Sequence, residues 1–377
     1  MISTRIHGVV DYAVAALLGG LSASGALSPR VRAILGASGA GSATYAALTD
    51  YEAGLAAAVT MRHHLALDAL SGAALCGAGL LLRRGAGPRE RALLVGIGLA
   101  EIAVAALSSS QPVSGPGQGS GPVGRVLQTG AGHGPDTTYE PLDTLKPVAE
   151  GVWIVDSALD APLGVELPVR MTVIRLANGD LMLHSPTRFE ESLRQELEKV
   201  GRIAYLIAPN SAHWMFLQGW QRAVPDAVTW AAPGLRKRGQ VRRSGVRLDH
   251  DLGDAAPPEW AGQVEQVVVP GGLGFREVEF FHEPTRTLVL TDLVDNIEAG
   301  KLPAALRPLA RLAGVLAPHG RAPVQLRAVI EMKRGAARAA AERLVALAPK
   351  RVIITHGRWF EQDAEAQLRR SLHWLLA

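Results

Sequence analysis

Cysteine occurs once in these 377 residues, at Cys76 inside an apolar run. An internal disulfide is therefore excluded, and thiol usage says nothing about compartment. Lysine is missing from the first 110 residues, which are dominated by Ala, Gly and Leu. No cleavage pattern follows the first apolar segment, which runs on into Pro29-Arg30, so a removable signal peptide is not expected. The net charge of +4 is modest. One dense basic cluster (Arg236, Lys237, Arg238, Arg242, Arg243, Arg247) has no interleaved aromatics and is followed by Asp249, Asp251 and Asp254. Nucleic acid is not an expected partner.

What is present divides the chain into three. Residues 1–109 carry four apolar stretches, near 9–27, 33–48, 65–82 and 92–107. The first, third and fourth approach the length that crosses a bilayer, and the second has the small residues that suit close helix packing. Residues 110–145 are rich in Ser, Gly and Pro and bury too little to order themselves, so they read as a flexible linker. Residues 146–377 alternate apolar strands with charged helices. The expected fold class is α+β: an N-terminal four-helix transmembrane bundle followed by a soluble domain of strands and helices.

The apolar stretches repeat. Arg5-Ile6-His7 with Asp11 matches Arg62-His63-His64 with Asp68, and Arg32-Ala33-Ile34-Leu35 matches Arg91-Ala92-Leu93-Leu94. The offsets, 57 from His7 to His64 and 59 from Arg32 to Arg91, describe a two-helix hairpin duplicated in tandem. His7 and Asp11, like His64 and Asp68, share a helix face at the start of a span. Two readings stand: a ligand or proton site, or a pair that orients each helix end. The stretch Thr4-Arg5-Ile6-His7-Gly8-Val9-Val10-Asp11-Tyr12 resembles bacterial four-helix membrane proteins related to the SPW-repeat family, although Leu21-Ser22-Ala23 stands where that family's Ser-Pro-Trp would. The resemblance implies a multi-pass protein of the bacterial inner membrane, with the lipid bilayer as partner. The first and third connections carry Arg30, Arg32, Arg83, Arg84, Arg89 and Arg91, against Arg5 and Arg62 on the other side. This asymmetry predicts both termini, and the C-terminal domain, on the outer side.

In the C-terminal part, strands are expected at 152–155, 171–175, 181–184, 203–207, 264–269, 278–281, 287–291 and 352–355. Asn178-Gly179 marks a hairpin turn. Thr187 with Glu190 predicts a capping box opening a helix to about Val200, and further helices are expected at 214–220, 336–347 and the C-terminus. Phe280-Phe281-His282 through Thr291-Asp292-Leu293 resembles the metallo-β-lactamase hairpin that ends at a metal-bridging Asp. Thr355-His356-Gly357 resembles the loop of its last His ligand. More closely, Lys146-Pro147-Val148-Ala149-Glu150-Gly151-Val152-Trp153, His184-Ser185-Pro186, Ala208-Pro209-Asn210, Ala232-Pro233-Gly234-Leu235 and Pro258-Glu259-Trp260-Ala261 resemble an uncharacterised, domain-of-unknown-function branch of that superfamily. The resemblance implies an αββα sandwich over 146–377.

It also implies a reduced metal site. Where the superfamily carries Thr-His-x-His-x-Asp-His, this chain reads Ala208-Pro209-Asn210-Ser211-Ala212-His213-Trp214, and the loop Pro270-Gly271-Gly272-Leu273-Gly274 has no His. His213, Asp292 and His356 remain as candidate catalytic and metal-ligating residues, with His184 one strand away. Two imidazoles and a carboxylate suffice for one divalent metal, Zn or Fe, with an open water position. The expected function is a membrane-anchored hydrolase acting on an ester, thioester or phosphodiester. The alternative is a non-catalytic ligand-binding or regulatory module on the same anchor. The small-molecule ligand or substrate is not specified by the sequence.

Overall fold

The computed structural model describes residues 2, 4–50, 54, 59–82, 85–108, 138–160, 166–302, 304 and 307–377. They form two compact units, one of helices and one built around two sheets.

The helical unit contains α1 (Thr4–Ala23), α2 (Pro29–Leu48), α3 (Met61–Leu81) and α4 (Pro88–Leu107). All four helices begin before the apolar stretches, and in three of them the start signal lies upstream. Ser28-Pro29 and Gly87-Pro88 place proline, which has no N–H to lose, in the first turn. Thr60 caps α3 by accepting from the His63 amide. The α1 helix stops at Ala23, short of Leu27, because the chain turns at Gly25-Ala26.

Leu18, Val31, Leu35, Leu75 and Leu94 form the unit's main core. Leu18 and Leu75 are related by the offset of 57, Leu35 and Leu94 by 59. The same contact is also made twice: Arg32 Nε donates to the Ser22 carbonyl (2.8 Å) and Arg91 Nε to the Gly79 carbonyl (2.9 Å). In the second hairpin Gly72 and Gly98 touch, and a Cβ on either would stand 2.5 or 2.3 Å from the other's carbonyl oxygen. Among the described residues one helix, Met61–Leu81, is long and apolar enough to cross a membrane by itself, with mean hydropathy 1.4. The apolar part of α1, His7–Ala23, is shorter. Four spans were expected; α2 is diluted by Gly and Ser, and α4 opens on Arg89-Glu90-Arg91 and carries Glu101.

The remaining elements are β1 (Lys146–Ala149), β2 (Val152–Asp160), β3 (Glu166–Arg175), β4 (Asp180–His184), α5 (Glu191–Val200), β5 (Arg202–Ala208), α6 (Leu217–Ala223), β6 (Val228–Ala231), α7 (Gly239–Ser244), β7 (His250–Asp251), β8 (Val264–Pro270), β9 (Arg276–His282), β10 (Thr287–Leu290), α8 (Arg307–Ala313), α9 (Val324–Glu331), α10 (Arg334–Ala346), β11 (Arg351–Ile354), α11 (Ala364–Ser371) and α12 (His373–Leu376). All belong to the second unit except α7, whose residues up to Arg243 are counted with the first. One sheet runs β1 to β7 in order, antiparallel to β4 and parallel from β4 to β7. The other is β11-β10-β9-β8, with only β10 and β11 parallel. The core draws on both, Ile174, Met182 and Ile207 from one and Val278, Phe280, Val289 and Ile353 from the other, so the sheets pack face to face. Leu193 and Leu197 of α5 and Ala337, Ala341 and Leu344 of α10 are buried on outer faces, which makes a mixed α+β domain.

Several expectations change here. The Thr187–Glu190 capping box does not form: Glu190 is the N-cap without a side-chain bond, and Thr187 is buried with its carbonyl taking the Trp220 indole N–H (2.8 Å). The helix expected at 214–220 starts at Leu217, because the Asn210 side chain first takes the amides of Ala212 and His213. β2 and β3 are longer than expected because they pair as far as Asp160 with Glu166. Residues 110–137 of the expected linker lie outside the described residues. Its last part is folded: Tyr139 Oη donates to Glu298 (2.9 Å) and Lys146 Nζ to the Tyr139 carbonyl (2.5 Å).

Candidate metal centre

Three chain turns at strand ends build the centre. After β5, Asn210 is fully buried and uses both polar atoms of its side chain. Its Oδ1 accepts from the amides of Ala212 (2.9 Å) and His213 (3.1 Å), while Nδ2 donates to Glu277 (2.9 Å) and Asp292 (2.8 Å). One side chain therefore shapes the loop that presents His213 and also fixes Asp292. Ser185, just after β4 in the left-handed region (φ 54°), places its hydroxyl 2.7 Å from His213 Nδ1. Asp292 follows β10. His356 follows β11 and donates from Nδ1 to the Pro168 carbonyl at 2.8 Å.

A carbonyl only accepts, so Nδ1 of His356 carries a proton and Nε2 is the atom turned to the centre. His213 Nε2 lies 3.2 Å from Asp292 Oδ1, His356 Nε2 lies 3.3 Å from it, and the two Nε2 atoms are 3.4 Å apart. This is a nearly equilateral triangle. Ligand atoms bound tetrahedrally to one ion at about 2.1 Å stand about 3.4 Å apart. The donor set, its spacing and the committed Nδ1 atoms fit one divalent ion with a coordination position open to solvent. Asp292 Oδ2 is already held by Asn210, so Oδ1 is left for an ion.

The charges are consistent with this. Burial works against ionisation of Asp292, but the charge of His213 and hydrogen bonds from His213 and His356 outweigh it and hold the carboxyl well below its ordinary range. Burial likewise works against protonating His356, but the bond to Asp292 and the charge of Asp295 lift its pKa to about 9. Burial raises Glu277, whose oxygens accept from Asn210 and from the Leu293 amide (2.8 Å), and raises Glu279 and Asp295 further.

Without metal, then, His356 is a cation at neutral pH. A histidine with a folded pKa near 9 against an unfolded 6.5 adds stability that is complete below about 6.5 and is lost as pH rises through about 9. Metal-free protein is expected to lose urea resistance between pH 7 and pH 9.5. Bound metal, which takes the proton's place, should flatten that decline, and His356→Ala should abolish it. A flat metal-free profile would remove the assignment.

His213, Asp292 and His356 come together as the sequence placed them. His184 does not join them; it is fully buried beside Phe280 (rings 5.0 Å apart), and burial, with the charge of His213, lowers its pKa to about 3. The other four candidates also converge: His7, Asp11, His64 and Asp68 are buried with their ligand atoms within 4.8 Å of one another. Asn210, Ser185, Glu277, Asp295 and Arg170 were not singled out. Asn210 and Ser185 lie in the stretches carrying the family resemblance, and Arg170 stands one residue before the strand expected at 171–175.

The profile of a domain of unknown function, DUF4336, matches residues 149–371. The chain belongs to that family. The DUF4336 region contains the whole triad. Similar solved structures include a metallo-β-lactamase from Pontibacter korlensis (14% identity over 62% of this chain and 98% of that one, TM-score 0.43). Another, from Hirschia baltica, gives 12% identity over 62% and 97%, with TM-score 0.41. No curated protein matches the DUF4336 chain.

Proposed function

We propose that the DUF4336 domain holds one divalent ion, Zn²⁺ or Fe²⁺, on His213, Asp292 and His356 and hydrolyses an ester, thioester or phosphodiester. The observation that carries this reading is the triangle of 3.2, 3.3 and 3.4 Å between the three ligand atoms. Such an ion, when bound, supplies a Lewis acid that acidifies water and polarises a carbonyl or phosphoryl oxygen. The protein's own part is orientation. Pro168 fixes the His356 tautomer, Ser185 steadies His213, and Asn210 keeps Asp292 from turning. Hydrogen-bonded partners of this kind hold ligands in place and are worth about 10–100-fold in metal affinity.

The same proposal places the protein in the bilayer through its N-terminal helices, as a multi-pass inner-membrane protein with the DUF4336 domain on the outer side. Large apolar side chains on those helices, Leu17, Leu70, Leu80, Leu81 and Leu99 among them, stand more than half exposed within the unit, as lipid-facing residues do. The likeness to SPW-repeat proteins belongs to this part of the proposal.

The test uses the full chain, recovered from alkali-washed membranes and loaded with Zn²⁺ or Fe²⁺. It is assayed on p-nitrophenyl acetate, an acyl thioester and bis(p-nitrophenyl) phosphate. One substrate class is expected to turn over, with loss of at least about 100-fold and of one metal equivalent in His213→Ala with His356→Ala. A folded wild-type protein whose metal content equals that of the double variant would leave the non-catalytic binding module as the better reading.

A further inference from the structure

The helical unit contains a cluster that the triad leaves unused. His7 Nε2 lies 3.2 Å from Asp11 within its own helix but 2.8 Å from Asp68 of the other repeat. His64 Nε2 lies 3.2 Å from Asp68 within its helix but 2.9 Å from Asp11. The shorter contacts cross between the hairpins, which argues against two pairs that merely orient their own helix ends. The two Nε2 atoms are 3.0 Å apart. His7 and His64 are fully buried, and Asp11 and Asp68 nearly so.

The outer ring nitrogens fix the protonation pattern. His7 Nδ1 is 2.7 Å from Ser108 Oγ, and that hydroxyl donates to the Val104 carbonyl at 2.6 Å. His64 Nδ1 is 2.8 Å from Thr49 Oγ1, which donates to the Tyr45 carbonyl at 2.6 Å. A hydroxyl has one proton, and both have given theirs away, so each must accept from Nδ1–H. In neutral imidazoles both Nε2 atoms are then bare lone pairs, pointed at each other and at two carboxylates. Two imidazole nitrogens and two carboxylates brought together at one buried site in this way favour a cation among them. Thr49 and Ser108 are themselves 59 apart, the second offset of the duplication, so each hairpin supplies one His–Asp pair and the hydroxyl that aims the other hairpin's imidazole.

We propose that His7, Asp11, His64 and Asp68 form a closed structural site for one first-row divalent ion, Zn²⁺ being the probe, that cross-links the two halves of the duplicated bundle. Four protein ligands of N₂O₂ type are the number and kind that close a tetrahedral site. Asp11 faces His7 with Oδ1 (3.2 Å) and His64 with Oδ2 (2.9 Å), Asp68 faces both with Oδ2 (2.8 and 3.2 Å), and one ligand atom from each of the four residues lies within 4.8 Å of the others, against about 3.3 Å around a tetrahedral ion. Asp68 leaves Oδ2 for the ion because Oδ1 accepts from Tyr45 Oη at 2.7 Å. The inference is independent of the hydrolase reading.

The test takes the full chain in detergent with the C-terminal triad disabled by His213→Ala and His356→Ala. This protein is expected to keep one tightly held equivalent of Zn²⁺ or Co²⁺, to show the intense visible bands of tetrahedral Co²⁺, and to melt at a temperature that rises with metal concentration. Adding Asp11→Asn and Asp68→Asn, which preserve size and hydrogen bonding, should remove all three signals while helical circular dichroism persists. Should that variant not fold, zinc-edge absorption on the parent decides, with two imidazoles and two carboxylate oxygens expected near about 2.0 Å. A parent that holds no metal after dialysis, a zinc shell of water oxygens, or retention of the ion by the folded Asn variant would each overturn the proposal. In the first case the positive charge is supplied by protons alone.

Discussion

Arg170→Leu is expected to destabilise the DUF4336 domain by about 3–5 kcal/mol, among the largest losses available to a single substitution. Arg170 is 2% exposed and lies on β3 beside β2. Its Nη2 contacts Asp156 Oδ1 at 2.6 Å, and its Nη1 donates to the carbonyls of Ile354 (2.5 Å) and Gly357 (2.8 Å). Those two carbonyls bracket His356. Leucine would fill the space yet take the guanidinium from a buried carboxylate, leaving Asp156 the Lys146 contact at 2.9 Å among the described residues, and would remove the two N–H bonds to the carbonyls. The measurement is the urea midpoint at neutral pH, with metal content read on whatever remains folded. Because the guanidinium anchors the His356 turn from outside the triad, metal affinity should fall about 10–100-fold as well. Arg170→Leu paired with Asp156→Leu should recover part of the stability, since the stranded charge is gone, but little of the metal binding, since the carbonyls stay unheld. A midpoint shift equivalent to less than about 1 kcal/mol would show that the ion pair is no more than a surface contact in effect.

The contrast between Arg170 and Asp292 explains what the sequence could and could not convey. Asp292 and His356 are legible through the resemblance, and each stands one Thr beyond a short apolar run, at the end of a strand where a side chain is presented to a site. His213 followed by position within the loop after β5. Arg170 was not legible because its partners Ile354 and Gly357 lie more than 180 positions away and are carbonyls, which every residue possesses. Asn210 sits in a stretch picked out by resemblance, yet its work as a bridge between Glu277 and Asp292 depends on the start of β9 lying beside the end of antiparallel β10. The burial of His184 against Phe280 depends likewise on how the two sheets meet. In the helical unit, the spacing of four showed that His7 and Asp11 share a face; it could not show that the nearer carboxylate belongs to the other repeat. Periodicity reports which face a residue occupies, and pairing across elements is decided by packing. The strand ends follow the same rule: β2 and β3 run on because each finds the other as a partner.

Gly357→Ala tests the other side of the His356 turn, and its effect should rival that of Arg170→Leu. Gly357 has φ 103°, a conformation costly for a residue with a Cβ. An added Cβ would stand 2.3 Å from the Asn296 oxygen, 2.4 Å from its carbonyl carbon and 2.7 Å from the Ile297 nitrogen. All three atoms are backbone, so no side chain can swing aside. Relief requires the 356–358 turn to leave the 295–297 segment, breaking the Asn296 amide to His356 carbonyl bond and the Arg358 amide to Asn296 carbonyl bond, both 2.9 Å. Conformational strain alone costs roughly 1–3 kcal/mol, and the lost contacts add to it. The two contributions can be separated inside this chain, because Gly274 has a similar φ of 80° and nothing within 4 Å of its notional Cβ. Gly274→Ala should therefore show the strain without the clash: a lower urea midpoint, unaltered metal content, unaltered hydrolysis. Gly357→Ala should lower the midpoint further and also empty the site, because displacing the turn moves His356 Nε2 away from Asp292 Oδ1. If the two alanine variants lose equal stability and both keep their metal, the turn is not what holds His356 in the triangle, and Arg170 and Pro168 must suffice without it.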